Sequence, residues 1–127
     1  MANKFYIAGL ATGANDGTSY ADAWQTGQVM ADNLVAGDIC YANSSINGAE
    51  TLSAAIDFDT NSGSISSQLI IKGVNGNQSV DPEDDVDVTD CVFDGNSTAT
   101  NCAVITSIDY CSWIALSFTG ATGDGVS

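Results

Sequence analysis

The sequence predicts an all-β chain wound as a parallel β-helix, a β-solenoid, with one capping α-helix near its start. Three observations predict it. A single helical period lies between Tyr20 and Val35. After Gly37 only short runs of β-forming residues follow, broken by Gly, Asn, Asp and Ser. Several of these runs resemble one another at a fixed distance, and the two-residue Asn-Gly turns that would make hairpins of a sandwich or barrel are scarce.

The first apolar run, Phe5-Tyr6-Ile7, reads as a strand. Turn formers follow and end in Asn15-Asp16-Gly17. Ser19-x-x-Asp22 has the spacing of a capping box with an acid in the first turn. Trp24, Gly27, Ala31 and Leu34 then fall on one helical face, and Gly37 reads as the stop. Beyond it, Asp38 to Ala42, Thr51 to Phe58, Gln68 to Val74, Val86 to Phe93, Cys102 to Ser107 and Trp113 to Thr119 read as strands. Leu69-Ile70-Ile71-Lys72-Gly73-Val74 resembles Ile114-Ala115-Leu116-Ser117-Phe118-Thr119-Gly120. Ile70 and Ala115 stand 45 positions apart, read as two turns of about 22 with Val92-Phe93-Asp94-Gly95 midway. Each turn of such a fold stacks on its neighbour at about 4.8 Å and buries its inward side chains in a shared column.

The chain has 127 residues, enough for one domain that buries about 68% of its unfolded surface. It carries 16 acidic residues, two lysines (Lys4 and Lys72), no Arg and no His, for a net charge of −14. That balance cannot hold a phosphate backbone and disfavours an anionic membrane surface, so neither nucleic acid nor membrane is expected as a partner. His-based triads and mixed Cys/His zinc sites are excluded within the chain. The N-terminus lacks a basic region ahead of a long apolar run, and no apolar run approaches a membrane span, which implies synthesis in the cytoplasm. The sequons at Asn43, Asn77 and Asn96 are then idle. Cys40, Cys91, Cys102 and Cys111 show no C-x-x-C spacing and sit among apolar residues. They read as buried free thiols, with disulfides as the alternative.

Several stretches resemble a known family. Phe5-Tyr6-Ile7, Asn15-Asp16-Gly17 and the following Thr18-Ser19-Tyr20-Ala21-Asp22-Ala23-Trp24-Gln25-Thr26 resemble the opening of right-handed parallel β-helix proteins of the pectin-lyase-like type. Val35-Ala36-Gly37-Asp38-Ile39-Cys40-Tyr41-Ala42 resembles their first full strand after the helix. Leu69 to Gly76 and Val92 to Gly95 resemble their recurrent rung strands. The resemblance implies one segment over residues 1–127: strand plus capping helix over 1–36, then rungs over 37–127. Proteins of that type run to several hundred residues, whereas this sequence stops in mid-rhythm at Gly123-Asp124-Gly125-Val126-Ser127, so a segment of a longer chain is expected, with a chain whose open end is covered by a partner as the alternative.

Candidate chemistry is sparse. Asp81, Glu83, Asp84, Asp85 and Asp87 form the densest acidic run and the one candidate Ca²⁺ site. The run lacks the EF-hand Gly and Glu, so it also reads as a solvated loop, and no other cofactor is expected. Asp57 and Asp59 share a strand face, as a glycosidase pair could, but in a chain with this much Asp such a pair arises by chance. The lyase mechanism of the resembled family needs an Arg or Lys base, and Lys72 reads as an outward rung residue. Trp113 is the candidate sugar-stacking residue. Trp24 reads as cap-to-core packing, and Gly37 and the four cysteines as structural. The expectation is a non-catalytic structural or attachment module of a virion appendage: a tail fibre, tailspike or head fibre. It would be a homo-oligomer, with a trimer favoured, docked to other virion proteins. The alternatives are a β-helix polysaccharide lyase or glycosidase with its site outside this segment, and a non-catalytic carbohydrate-binding surface protein.

Overall fold

The structure is a computed structural model that describes residues 2–7, 12–44, 48–59, 62–74, 91–105 and 109–127. The described residues are mostly strand, with one short helix among them. In chain order the elements are β1 (Ala2–Ile7), α1 (Gly27–Asn33), β2 (Asp38–Asn43), β3 (Glu50–Thr51), β4 (Ile56–Phe58), β5 (Leu69–Gly73), β6 (Cys91–Asp94), β7 (Ala103–Ile105), β8 (Cys111–Ile114) and β9 (Leu116–Thr119). They form three small sheets, ordered β1-β2-β5-β8, β3-β6-β9 and β4-β7. Every pairing within them is parallel. From β2 onward the chain visits the three sheets in the same cyclic order. The acidic run over 81–90 and the sequon at Asn77 lie outside the described residues.

The pairing corrects the repeat distance. Ile39 pairs with Ile70 and Ile70 with Ser112, so 42 residues separate direct neighbours rather than two turns. Val92 belongs to a different sheet, where it pairs with Ser117 only 25 positions on. Two expected strands also divide at corners. Thr51 to Phe58 supplies the end of β3 and all of β4. Trp113 to Thr119 supplies the end of β8 and all of β9, split at Ala115, whose φ of 53° turns the chain.

The helix is shorter than the periodicity predicts. It starts at Gly27 rather than Tyr20 and ends at Asn33, before Val35. Asp22 N donates to Ser19 Oγ at 3.1 Å and the Ser19 hydroxyl donates to Asp22 Oδ2 at 3.0 Å, but these bonds close a turn. The carbonyls needed for helix here are already spent. Asp22 O accepts from Asp16 N and Gly17 N, Ala21 O accepts from Gly13 N, and Trp24 O accepts from Ile7 N. Trp24 therefore sits on an extended segment bridged to Tyr6, not on a helix face, although it is buried. Gly17 holds φ +73°, and a Cβ there would stand 2.6 Å from the Trp24 ring. Thr26 is the true N-cap and accepts from Val29 N at 3.3 Å. Thr26→Ala is expected to cost about 1 kcal/mol in urea unfolding; an unchanged midpoint would remove the cap from the account. Gly37 does not end the helix. It makes the turn into β2, with φ +90° and a bond from its N–H to Gln68 O.

Inward positions of the strands carry the core. β5 and β6 alternate buried and half-buried residues, as strands with one covered face do. The side chains of Cys40, Ile71, Cys91, Phe93 and Ala103 meet there, with Met30 and Leu34 of the helix region in the same cluster. Glu50, Phe93 and Phe118 share one ladder column across the second sheet.

Candidate functional site

Two places in the described residues concentrate chemistry. The first is interior. The Tyr6 hydroxyl, fully buried on β1, donates to Glu50 Oε2 at 2.7 Å. Gly27 N, at the start of α1, donates to the same oxygen at 2.7 Å. A Cβ at Gly27 would collide with the Ile56 side chain, so glycine is what lets the helix start reach Glu50. Burial pushes the Glu50 carboxyl above its ordinary value, and its two donors partly offset this. Burial and the nearby carboxylate push the Tyr6 phenol well upward. Cys91 lies close by and is pushed up to about 12, mainly by burial. The arrangement is a polar pin joining β1, β3 and α1. The composition did not reveal it. The available signal was that Glu50 is one of only two glutamates in a chain that otherwise uses Asp.

The second place is the last layer of strands. A cleft of about 420 Å³ is lined by Ile105, Asp109, Tyr110, Cys111 and Trp113. The Trp113 ring packs against Phe58 at 5.0 Å and Phe118 at 5.4 Å, and its Nε1–H donates to Cys111 Sγ at 3.0 Å. Tyr110 stands half-exposed with φ 52°. An aromatic wall beside a carboxylate is chemistry that a sugar could use.

The other sequence candidates are not brought together. Asp57, within β4, and Asp59, just after it, are exposed, and Asp57 meets the helix through its backbone, whose N–H donates to Gln28 Oε1. Lys72 is half-exposed on β5. Among the described residues no group of three or more His, Cys, Asp or Glu could hold a metal. The five acidic residues proposed for Ca²⁺ lie outside them. No helix among the described residues is long and apolar enough to cross a membrane.

All four cysteines are free. Cys40, Cys91 and Cys102 are buried, and Cys111 is half-buried. Burial raises the Cys40 and Cys91 thiols well above the ordinary range, while Cys111 is raised less deeply in the fold. Brief treatment with N-ethylmaleimide should modify Cys111 first and leave the other three until the chain is unfolded. Equal labelling of all four by mass spectrometry would contradict the burial described. A scan of protein-family models, a search of curated proteins and a search of solved structures each found no match to this chain.

Proposed function

We propose that the three sheets are the faces of a right-handed parallel β-helix, and that this segment is a non-catalytic structural and attachment module of a virion appendage. The observation that carries the reading is the cyclic visiting of three parallel sheets around one apolar interior. A rod of stacked turns suits display at a distance from a particle. The residue inventory supports the non-catalytic part. There is no His or Arg, and the half-buried Glu50 carboxyl is committed to Tyr6 and Gly27. The −14 charge keeps such a rod soluble and away from packaged nucleic acid.

Mass spectrometry of purified virions from the source of the sequence tests this. The peptides should co-purify with particles, and antibodies against the chain should decorate their projections. Absence from particles would overturn the appendage role. Turnover of acidic or neutral glycans, followed at 235 nm and by reducing ends, would overturn the non-catalytic one. The cleft beside Trp113 favours a second reading, in which this layer binds a neutral glycan. Glycan-array binding that disappears with Trp113→Ala would support it, and an array without hits would remove it.

A further inference from the structure

We infer that the cleft between the start of α1 and the β3–β4 corner binds a small organic cation, a primary ammonium on a short aliphatic body, with Glu50 as its counter-ion. The inference stands on this one cleft and is independent of the β-helix reading. The cleft measures about 360 Å³ and is lined by Thr26, Gln28 and residues 50–56. That is the low end of the range of roughly 300–1,000 Å³ in which small ligands are held. Its lining is of two kinds. Leu52 and Ile56, both buried, and the alanines between them are apolar. Thr51 and Ser53 are exposed hydroxyls, and Glu50 is the one charged group. Both bonds that fix Glu50, from the Tyr6 hydroxyl and from Gly27 N, fall on Oε2. Oε1 accepts from no described residue and is not sealed from solvent. It is the acceptor that the cleft has to offer.

Two further observations favour a cation. The first is that the pin needs no charge. An amide at position 50 would accept both bonds without taking a carboxylate out of water. Nothing in the chain offsets that desolvation. The two lysines lie elsewhere, Lys4 on β1 opposite Cys40 and Lys72 on β5 opposite Tyr41, and no neighbouring cation draws the Glu50 carboxyl down. A bound ammonium supplies the missing charge. A half-buried ionisable group that its structural role does not require, set in a cleft, marks a site of function. The second observation is the surroundings. Gln28 donates from Nε2 to Asp32 Oδ1 at 2.9 Å and accepts from Asp57 N at 2.8 Å, which places two exposed acidic residues next to a residue of the lining. Their field draws cations and repels anions. A metal ion fits less well, because a hard cation collects about six or more oxygens, and among the described residues no three acidic or thiol groups converge. An ammonium asks only for acceptors to match its three donors. Glu50 Oε1 with the Thr51 and Ser53 hydroxyls offers that number.

Amide NMR spectra of the isotope-labelled chain, titrated near neutral pH with n-butylammonium chloride, test this. Against sodium chloride at the same ionic strength, saturable shifts are expected at Gly27, Thr51 and Ser53. The alcohol n-butanol, the same body without the charge, should bind at least about tenfold more weakly. Glu50→Gln keeps both pin bonds and removes the charge, and it should weaken the ammonium at least about tenfold. Ala54→Phe, at an exposed position of the lining, fills the cleft and leaves Glu50 in place. It should abolish the shifts, and it carries the test should the Gln variant lose its fold. The inference would be overturned by an absence of shifts, by shifts that never saturate or spread evenly over the exposed acidic residues, by an equal response to n-butanol, or by binding that survives either variant in its folded form.

Discussion

Phe93→Ala is expected to remove about 3–5 kcal/mol of stability, a large share of the roughly 5–15 kcal/mol that holds a domain folded. Phe93 is 1% exposed and stands between two other rings. Tyr6 lies 5.6 Å away at 30° and Phe118 5.4 Å away at 15°, both stacked. Truncation opens a cavity whose walls are held by parallel ladders at near-fixed spacing, so little of it can collapse. Two ring pairs are lost as well, each worth about 0.5–1.5 kcal/mol beyond area burial. Phe118→Ala removes the same atoms from a half-covered position and one step along the same column. Its cost should be about half as large, because less apolar area leaves water there on folding. Urea unfolding of both variants gives the comparison. Equal losses would mean that Phe118 is as well covered as Phe93, against the exposure described.

The strands were legible in sequence because each is a short apolar or β-branched run bounded by turn formers. Asp38 to Ala42 and Gln68 to Val74 lie within a residue or two of β2 and β5. What was not legible was which sheet each run joins. Direct neighbours stand 31 positions apart at Ile39 and Ile70, 42 at Ile70 and Ser112, and 47 at Ile56 and Ala103. Loops of such unequal length erase the fixed period that would reveal the register, and they invite matching of strands from different sheets. The corner at Ala115 was hidden for a related reason. An Ala with positive φ carries none of the usual marks of a turn, which favour Gly or Asn. The helix was mis-sized because Asp22 N bonds to Ser19 Oγ as it would in a capping box, while the carbonyls behind them serve β1 and the preceding loop. Spacing can announce a local bond; it cannot say what the next carbonyl is doing.

The half-burial of Glu50 was illegible because nothing local marks it. Its position under Phe93 in the ladder column is what buries it, and that column is assembled from residues 43 positions apart. The consequence is a pH-dependent pin with a definite sign. Burial raises the folded-state value of the carboxyl above its ordinary 4.5, so the folded chain holds the proton more tightly than the unfolded one. The stability this contributes is fully present below the unfolded value near 4.5 and is lost as pH rises through the raised folded value. Glu50→Gln keeps an oxygen that can accept from both the Tyr6 hydroxyl and Gly27 N, and it carries no charge to desolvate. At pH 7 it should therefore be as stable as the parent or more so. The difference between the two unfolding curves should shrink toward acid, where the parent is protonated too. Glu50→Ala is another matter. It strands a buried hydroxyl and a helix N–H at about 1–3 kcal/mol each, a loss of about 2–6 kcal/mol that Gln avoids. Tyr6→Phe separates the contributions further. The hydroxyl is the stronger of the two bonds holding the Glu50 value down, so removing it moves the titration to higher pH and costs about 1–2 kcal/mol. If Gln proved as damaging as Ala at pH 7, the ionised carboxylate itself would be the stabilising species, and the raised value inferred from its burial would be wrong.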